Sequence, residues 1–236
     1  MERIKVLILG CLSLVAFPMM AAMDVLSFGA KGDGKTLCTH AIQAAIDKAG
    51  VQGGEVRFPS GTYLTGTLIL KDNVALNLER GAVLLGSTRL EDYPPTPSRY
   101  ISHINRYTHS CLIYAEGVKN IAIKGEGIID GQGTHLNFKA DENDVLKSIL
   151  RRPYIIRAVS CEQIKVSGIT LKNSPAWMQH YLNCTNILVD GITVLNHGNY
   201  NNDGIDIDNC KNVRIVNSNF DTDDDAICFK TTNATG

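Results

Sequence analysis

A cluster of acidic residues marks the C-terminal part of the sequence. Residues 201–230, NNDGIDIDNCKNVRIVNSNFDTDDDAICFK, contain seven aspartates in a chain of formal net charge −1. Asp203 and Asp225 are 22 residues apart, and so are the apolar residues Ile205 and Ile227 that follow them. The segments DGIDI and DAICF are therefore predicted to be the same strand in successive turns of a repeat.

Carboxylates stacked in this way could do chemistry. Residues in register on neighbouring strands lie roughly 4.8 Å apart. At that distance two ionised carboxylates repel each other by about 3 to 4 kcal/mol, even at an effective dielectric near 20. Such a cluster is tolerated when one member stays protonated, when a cation binds, or when a basic side chain neutralises it. A protonated acid beside a carboxylate suits hydrolysis of a glycosidic bond, a bound cation suits a calcium site, and plain solvated surface charge is the third interpretation.

Three segments upstream and around the cluster repeat one pattern. They are SCEQIKVSGITLKNS (160–174), NCTNILVDGITVLNH (183–197) and NCKNVRIVNSNFDTD (209–223), and in each a cysteine stands three positions before an apolar residue. The apolar residues Ile164, Ile187 and Val213 are 23 and 26 residues apart. Short alternating strands, Asn and Gly at the corners and no helical periodicity predict an all-β chain that forms a right-handed parallel β-helix.

The repeat continues towards the N-terminus. VKNIAIKGEGIIDGQG (118–133) has the same pattern, and because Ile121 precedes Ile164 by 43 residues we expect it to lie about two turns upstream. The three aligned cysteines, Cys161, Cys184 and Cys210, share one position in the repeat, which favours small buried side chains over disulfides or metal ligands.

One helix is predicted, near the N-terminus. THAIQAAIDKAG has apolar residues at helical spacing, Thr39 available as an N-cap and Gly50 as a stop. A single amphipathic helix before a β-solenoid is expected to cap its first coil. Residues 53–87 are predicted to form the first coils. Residues 88–110 and 132–153 are expected to be loops along one side that wall a groove, the second partly helical.

The first 22 residues are predicted to be a secretory signal peptide. Arg3 and Lys5 precede an apolar run, which is followed by small residues at Ala21 and Ala22. Residues 23–236 would then form one β-helix domain of a secreted or periplasmic protein. The balanced charge argues against nucleic-acid binding, and we expect a monomer without membrane contact once the signal is removed.

The acidic motifs resemble those of glycoside hydrolase family 28, the polygalacturonase-like enzymes. That family has Asn-x-Asp followed by Gly, here residues 201–204, and Gly-Asp-Asp about one coil later, here residues 223–225. The segments DVLSFGAKGDGKTLCTHAIQAAIDKAG and NSPAWMQHYLNCTNI are also similar to the family. The resemblance implies a pectin-lyase-like β-helix that cleaves galacturonosyl bonds of pectic polysaccharide with inversion. It implies that Asp224 is the general acid, that Asp203 and Asp225 hold the water, and that no metal or other cofactor is needed.

The sequence departs from the family pattern in two ways. Asp223 replaces the glycine of Gly-Asp-Asp and so removes a residue that tolerates positive φ. The Gly-His-Gly and Arg-x-Lys motifs that follow in the family do not occur before Gly236. We therefore expect the chain to be the N-terminal part of an enzyme and inactive alone, which the reading frame beyond Gly236 would test.

Several further residues are predicted to bind substrate. They are Asn201 of the first motif, Trp177 and His180 one coil earlier, Asp206 on the strand after Asp203, and Lys230 on the next strand. Arg151 and Arg152 are additional candidates for contact with a uronate. Two other functions stay open: a calcium-dependent pectate lyase, which a chelator would abolish, and a β-helical carbohydrate-binding protein or adhesin without catalysis.

Overall fold

The computed structural model describes residues 22–104, 110–139 and 152–234. In chain order its first elements are β1 (Met23–Asp24), a 3-10 turn (Val25–Phe28), β2 (Asp33–Leu37), α1 (Thr39–Gln52), β3 (Gly54–Phe58), β4 (Gly61–Thr65), β5 (Leu68–Ile69), β6 (Val74–Leu78), β7 (Ala82–Gly86), a second 3-10 turn (Leu90–Asp92), β8 (Cys111–Glu116), β9 (Lys119–Gly125) and β10 (Ile128–Asp130). The later elements are β11 (Tyr154–Val159), β12 (Glu162–Ser167), β13 (Thr170–Lys172), β14 (Gln179–Leu182), β15 (Thr185–Asp190), β16 (Thr193–Asn196), β17 (Ile205–Asp208), β18 (Lys211–Val216), β19 (Asn219–Thr222) and β20 (Ile227–Lys230).

The strands form three sheets that run along a parallel β-helix. Sheet 1 has the order β1-β3-β6-β9-β12-β15-β18, sheet 2 the order β2-β4-β7-β10-β13-β16-β19, and sheet 3 the order β5-β8-β11-β14-β17-β20. The first coil contributes β1 and β2 to sheets 1 and 2, each later coil contributes one strand to each sheet, and equivalent strands of successive coils pair in parallel. The β-helix predicted from the repeats is confirmed.

The core fills the inside of this helix. Ile121, Ile164, Ile187 and Val213 pair in register along sheet 1, and the first three are at most 4% exposed. Most of the residues that alternate with them on the outer face are polar, as is typical of a half-buried strand. Stacking identical positions in successive coils thus gives one continuous apolar column.

The prediction that residues 118–133 lie about two turns before residues 160–174 was wrong. Ile121 and Ile164 are partners in neighbouring strands, so the 43 residues between them make one turn and not two. The insertion at residues 132–153 lies within that turn and doubles its length in sequence. Residues 140–151 of the insertion, where a helix was expected, lie outside the described residues.

Asparagines recur at the corner before sheet 1 because the backbone there is left-handed. The second residue of four successive strands has a positive φ: Asn120 (55°), Gln163 (59°), Asn186 (58°) and Asn212 (57°). Asn tolerates this conformation better than most residues. The Asn212 side chain also donates to Asn186 Oδ1 at 3.0 Å, so the corner residues of successive coils bind one another.

The aligned cysteines stack as predicted. The backbone N–H of Cys161 donates to Cys184 Sγ, and that of Cys184 donates to Cys210 Sγ, both at 3.4 Å. All three are free thiols, as are the other cysteines of the described chain. Burial raises the pKa of Cys184 well above its usual value, so this thiol stays protonated and packs as a small apolar group.

Helix α1 covers the first coil, as expected. Its fully buried residues Ile42 and Ile46 belong to the main core, and the helix packs on β1, β3 and β5. The predicted boundaries were wrong. Cys38 is the N-cap, and the Thr39 hydroxyl instead accepts the backbone N–H of Gly66 at 2.8 Å. The helix also continues past Gly50 to Gln52.

The predicted signal sequence, residues 1–22, lies outside the described residues except for Ala22. In the part that the structure does describe, no helix has the length and apolar character needed to cross a membrane.

Candidate active site

Asp203, Asp224 and Asp225 lie together at the edge of sheet 3. Asp203 precedes β17 and the other two precede β20, and these two strands pair with Ile205 opposite Ile227. One oxygen of each carboxylate lies within 4.8 Å of the other two. The register predicted from the 22-residue spacing is confirmed, and it brings the three acids to one place.

A glycine next to Asp203 lets the coils approach. The backbone N–H of Gly204 donates to the Asp225 carbonyl oxygen at 2.9 Å. A Cβ at Gly204 would lie 2.6 Å from the Ala226 carbonyl oxygen. A larger residue would therefore push apart the two strands that carry the acids.

A buried amide network holds the backbone at Asp203. The Asn196 side chain donates to the carbonyl oxygens of Asp203 and Ala176, at 3.2 and 3.4 Å. Its oxygen accepts from Ser174 N at 2.8 Å and from Asn202 Nδ2 at 3.1 Å. Sequence reasoning missed Asn196, although one signal was present: it occupies an inward position of β16, two residues after buried Val194, where the alternation calls for an apolar residue.

The turn that carries Asp224 and Asp225 is held by its own polar groups. The Thr222 hydroxyl donates to the Asp224 carbonyl oxygen at 2.7 Å, and the Asp225 N–H donates to Asp224 Oδ1 at 3.0 Å. Asp223 is not among the described residues with positive φ, so this position does not require a glycine here. Its carboxylate oxygen lies 2.6 Å from His197 Nδ1.

Burial changes the ionisation of two aspartates. Asp203 is 4% exposed, and burial together with the nearby charge of Asp224 raises its pKa to about 6. Asp206 is completely buried, and burial followed by the charge of Asp203 raises its pKa to about 8. The cluster therefore retains protons at mildly acidic pH.

Lys230 brings a positive charge to the same surface. Its Nζ lies 2.8 Å from Asp206 Oδ1 and 4.7 Å from the centre of the Trp177 ring. Burial alone would lower the pKa of Lys230, but its hydrogen bonds to Asp206 and Cys228 raise it. These contacts keep Lys230 charged.

Aromatic residues line the outer face of sheet 3 beside Lys230. The Trp177 ring centre lies 5.1 Å from that of Tyr154 and 5.5 Å from that of His180. His180 pairs in register with Asp206, as predicted from the sequence, and it is fully buried. Burial lowers its pKa to about 4, even though Nε2 lies 3.6 Å from Asp208 Oδ2.

Asn201 is tied to Arg152. Its Oδ1 accepts from Arg152 Nη2 at 2.8 Å, and the same guanidinium donates to Asn199 Oδ1 and to the carbonyl oxygens of Pro175 and Tyr200. Arg152 is 2% exposed, and burial lowers its pKa to about 10. In this structure Arg152 therefore braces the loop before Asp203.

Residues 93–104, which we call the strap, cross the outer face of sheet 3. Arg157 on β11 donates to the Thr96 carbonyl oxygen at 2.9 Å. Further along, His103 N donates to the Thr232 carbonyl oxygen at 2.9 Å, and Ser102 forms an antiparallel bridge with Asn233. The strap thus joins the coils of β8 and β11 to the turn after β20. It accounts for the expected loop at residues 88–110, of which 105–109 lie outside the described residues.

The three aspartates could serve two kinds of chemistry. Hard cations such as Ca²⁺ prefer carboxylate oxygens, and the spacing of Asp203, Asp224 and Asp225 would suit one. The raised pKa of Asp203, about 6, favours acid and base catalysis instead, because a carboxyl group with this pKa can exchange a proton at mildly acidic pH.

Comparison with known proteins gives consistent results. A family model described as Glycosyl hydrolases family 28 matches residues 58–235. A probable polygalacturonase of Vitis vinifera is 37% identical over 219 residues, which cover 88% of this chain and 44% of the relative. An exo-poly-alpha-D-galacturonosidase of Dickeya chrysanthemi is 31% identical over 251 residues, covering 88% of this chain and 41% of the relative.

A solved structure supports the fold. The family 28 exopolygalacturonase of Yersinia enterocolitica matches with a TM-score of 0.77 and 32% identity, over 88% of this chain and 44% of that one. The chain therefore spans less than half the length of each of these three relatives. The match to this structure agrees with the prediction that the β-helix is right-handed. Because the family model covers most of the sequence, including both aspartate motifs, the chain belongs to glycosyl hydrolases family 28.

Proposed function

We propose that the full-length gene product hydrolyses galacturonosyl bonds in pectic polysaccharide. The observation that carries the proposal is the meeting of Asp203, Asp224 and Asp225 within 4.8 Å at adjacent coil edges. Family membership and the polygalacturonase relatives support the substrate class. We infer inversion of configuration from the family and not from the 4.8 Å spacing. That spacing describes one oxygen of each carboxylate, whereas the rule for inverting enzymes uses the separation of the whole carboxyl groups.

In the proposed reaction Asp224 protonates the glycosidic oxygen as its bond to the anomeric carbon breaks. Asp203 and Asp225 hold a water on the opposite face, and one of them takes its proton as the new C–O bond forms. The leaving sugar keeps the proton of Asp224 and the anomeric carbon keeps the hydroxyl of the water. The proton taken by the base returns to Asp224 through solvent, so the net reaction consumes one water and no other reagent.

The neighbouring residues suit an acidic sugar. Trp177 offers an aromatic face for a pyranose ring, and Lys230 beside it supplies a cation for a uronate carboxylate. His180 and Asn201 lie behind this surface and are proposed to support it, His180 under Trp177 and Asn201 through Arg152.

We also propose export of the protein, as the signal-like residues 1–22 suggest. The stacked free thiols are compatible with an oxidising compartment because Cys161 and Cys184 are buried.

The function is tested with polygalacturonate as substrate. We expect new reducing ends, saturated products and full activity in the presence of a chelator of divalent cations. Unsaturated products and loss of activity on chelation would replace the hydrolase with a calcium-dependent lyase. Binding without any cleavage would leave only the carbohydrate-binding alternative.

The strap leads to a prediction about where the polymer is cut. On the coils of β8 and β11 the outer face of sheet 3 is covered, with Tyr154 and Arg157 each 1% exposed and Tyr114 7% exposed. A polymer lying on Trp177 cannot continue over these strands. We therefore expect attack at chain ends, with mono- or digalacturonate as the main early product and little loss of viscosity. An early ladder of long oligomers would contradict this prediction while leaving the hydrolase function intact.

The raised pKa of Asp203 leads to a prediction about pH. Since the pKa of Asp203 is raised to about 6, the cluster loses its retained proton as the pH rises through that value. Because Asp203 must be ionised to hold the water and take its proton, we expect kcat/KM to rise along an acidic limb with an apparent pKa near 6. Lys230→Met should move the limb to higher pH, because the Lys230 ammonium lowers the pKa of Asp203. Lys211→Met, a change on the exposed side of β18, should leave it in place. A limb that lies near the ordinary aspartate pKa in all three proteins would contradict the assignment.

A further inference from the structure

His197 lies between two carboxylates on the outside of sheet 2, next to the catalytic cluster. It follows β16, and its Nε2 lies 3.0 Å from Asp221 Oδ1 while its Nδ1 lies 2.6 Å from Asp223 Oδ1. Gly198 N also donates to Asp223 Oδ2 at 3.4 Å. The two ring nitrogens therefore connect β19 and the turn after it to the turn after β16.

This geometry requires a protonated ring. A neutral imidazole has one N–H, whereas the imidazolium has two and can donate to both carboxylates. The charged groups that face His197 are Asp221 and Asp223, and both raise its pKa, Asp223 more strongly through its hydrogen bond. Of the other elements nearby, the loop at residues 132–139 contacts Gly198 through the backbone of His135, and Lys172 on β13 is paired with Asp130 at 3.2 Å.

The contacts of His197 with Asp221 and Asp223, which we call the bridge, connect the turn before β17, which carries Asp203, to the turn before β20, which carries Asp224 and Asp225. The residue before His197 is Asn196, whose side chain binds the Asp203 carbonyl oxygen. The residue after Asp223 is Asp224, and Asp223 N donates to the Asn196 carbonyl oxygen at 3.2 Å. A shift of the bridge would therefore change the position of Asp224 relative to Asp203.

We propose that His197, as an imidazolium bound to Asp221 and Asp223, is a positioning residue that aligns Asp224 and Asp225 with Asp203. This arrangement gives a role to Asp223, which stands where the family motif has glycine. Its additional carboxylate anchors the turn to His197. The alignment of the cluster then depends on the protonation of His197. This inference rests on the proposed function.

The kinetic test compares His197→Gln with the wild-type full-length protein. Gln cannot donate to both carboxylates as a cation. We expect kcat on polygalacturonate to fall by about tenfold at pH values below about 6, because misplacement of a catalytic group by a fraction of an ångström has effects of this order. KM should change by no more than about twofold, since His197 does not touch the sugar surface at Trp177. His40→Gln, on the exposed side of α1, is the matched control and should behave as wild type.

A second comparison separates positioning from general stabilisation. If Asp223 acts through His197, the double variant His197→Gln/Asp223→Gly should be no slower than Asp223→Gly alone. The His197 ring, followed by NMR, should titrate above its ordinary pKa in the wild type and closer to it in Asp223→Gly.

The outcomes are distinguishable. Additive losses in the double variant, an ordinary His197 pKa, or equal loss of kcat at all pH values would overturn the positioning role while hydrolysis by the wild type still stood. Absence of hydrolysis by the wild type would overturn the proposed function, and with it the catalytic meaning of the bridge.

Discussion

Asp224→Asn should lower kcat on polygalacturonate by about 10²–10⁴-fold, the usual contribution of a general acid. The amide cannot give a proton to the leaving oxygen. The fold should be unaffected, because the Asp224 carbonyl oxygen still accepts from Thr222, and an amide oxygen can replace Oδ1 as acceptor for Asp225 N. KM should change little, since Trp177 and Lys230 remain in place. Initial rates of reducing-end release, with thermal unfolding measured on the same samples, give both quantities.

The matched control is Asp47→Asn, an exposed aspartate on α1 at the far end of the β-helix from the cluster. It should keep wild-type kinetics. A loss of less than about tenfold in Asp224→Asn would assign the proton transfer to another group of the cluster, with Asp203 the next candidate because its pKa is raised.

The register of the site followed from the sequence because a solenoid converts sequence spacing into spatial stacking. Asp203 and Asp225 are one coil apart, and so are their apolar neighbours Ile205 and Ile227. The alternation of inward and outward residues then placed Asp206 on the outer face, where the structure has it. The same logic failed between Ile121 and Ile164, because an insertion inside one coil lengthens the spacing without adding a turn.

The interactions around the cluster could not be predicted in the same way. The alternation put Asp206 outside but gave no indication that it would be fully buried against Lys230. The strap binds the turn after β20, about 130 residues away in sequence, through a hydroxyl contact of Ser102 with Thr232 and a backbone bridge with Asn233, neither of which leaves a periodic pattern. The pairing of His197 with Asp223 depends on how two turns pack, and turn packing is set by the whole coil. Periodicity therefore fixes which strands stack, whereas the hydrogen bonds between turns need the structure.

Asn196→Ala should destabilise the protein by about 3 kcal/mol or more, and it should also reduce activity. The side chain is fully buried and has four partners: Ser174 N, Asn202 Nδ2 and the carbonyl oxygens of Ala176 and Asp203. Each buried polar group left without a partner costs about 1 to 3 kcal/mol, and relaxation or a trapped water would recover part of the sum. Denaturant unfolding of the variant and the wild type gives the free energy of unfolding directly.

The matched control, Asn219→Ala, changes an exposed asparagine at the start of β19 and should stay within about 0.5 kcal/mol of the wild type. Activity distinguishes a local from a global effect. Because Asn196 binds the Asp203 backbone, kcat should fall under conditions in which the variant is still fully folded, while KM stays close to the wild-type value. A variant that loses stability but keeps kcat would show that the remaining contacts of Asn202 and Gly204 suffice to place Asp203, and that the amide network serves the fold alone.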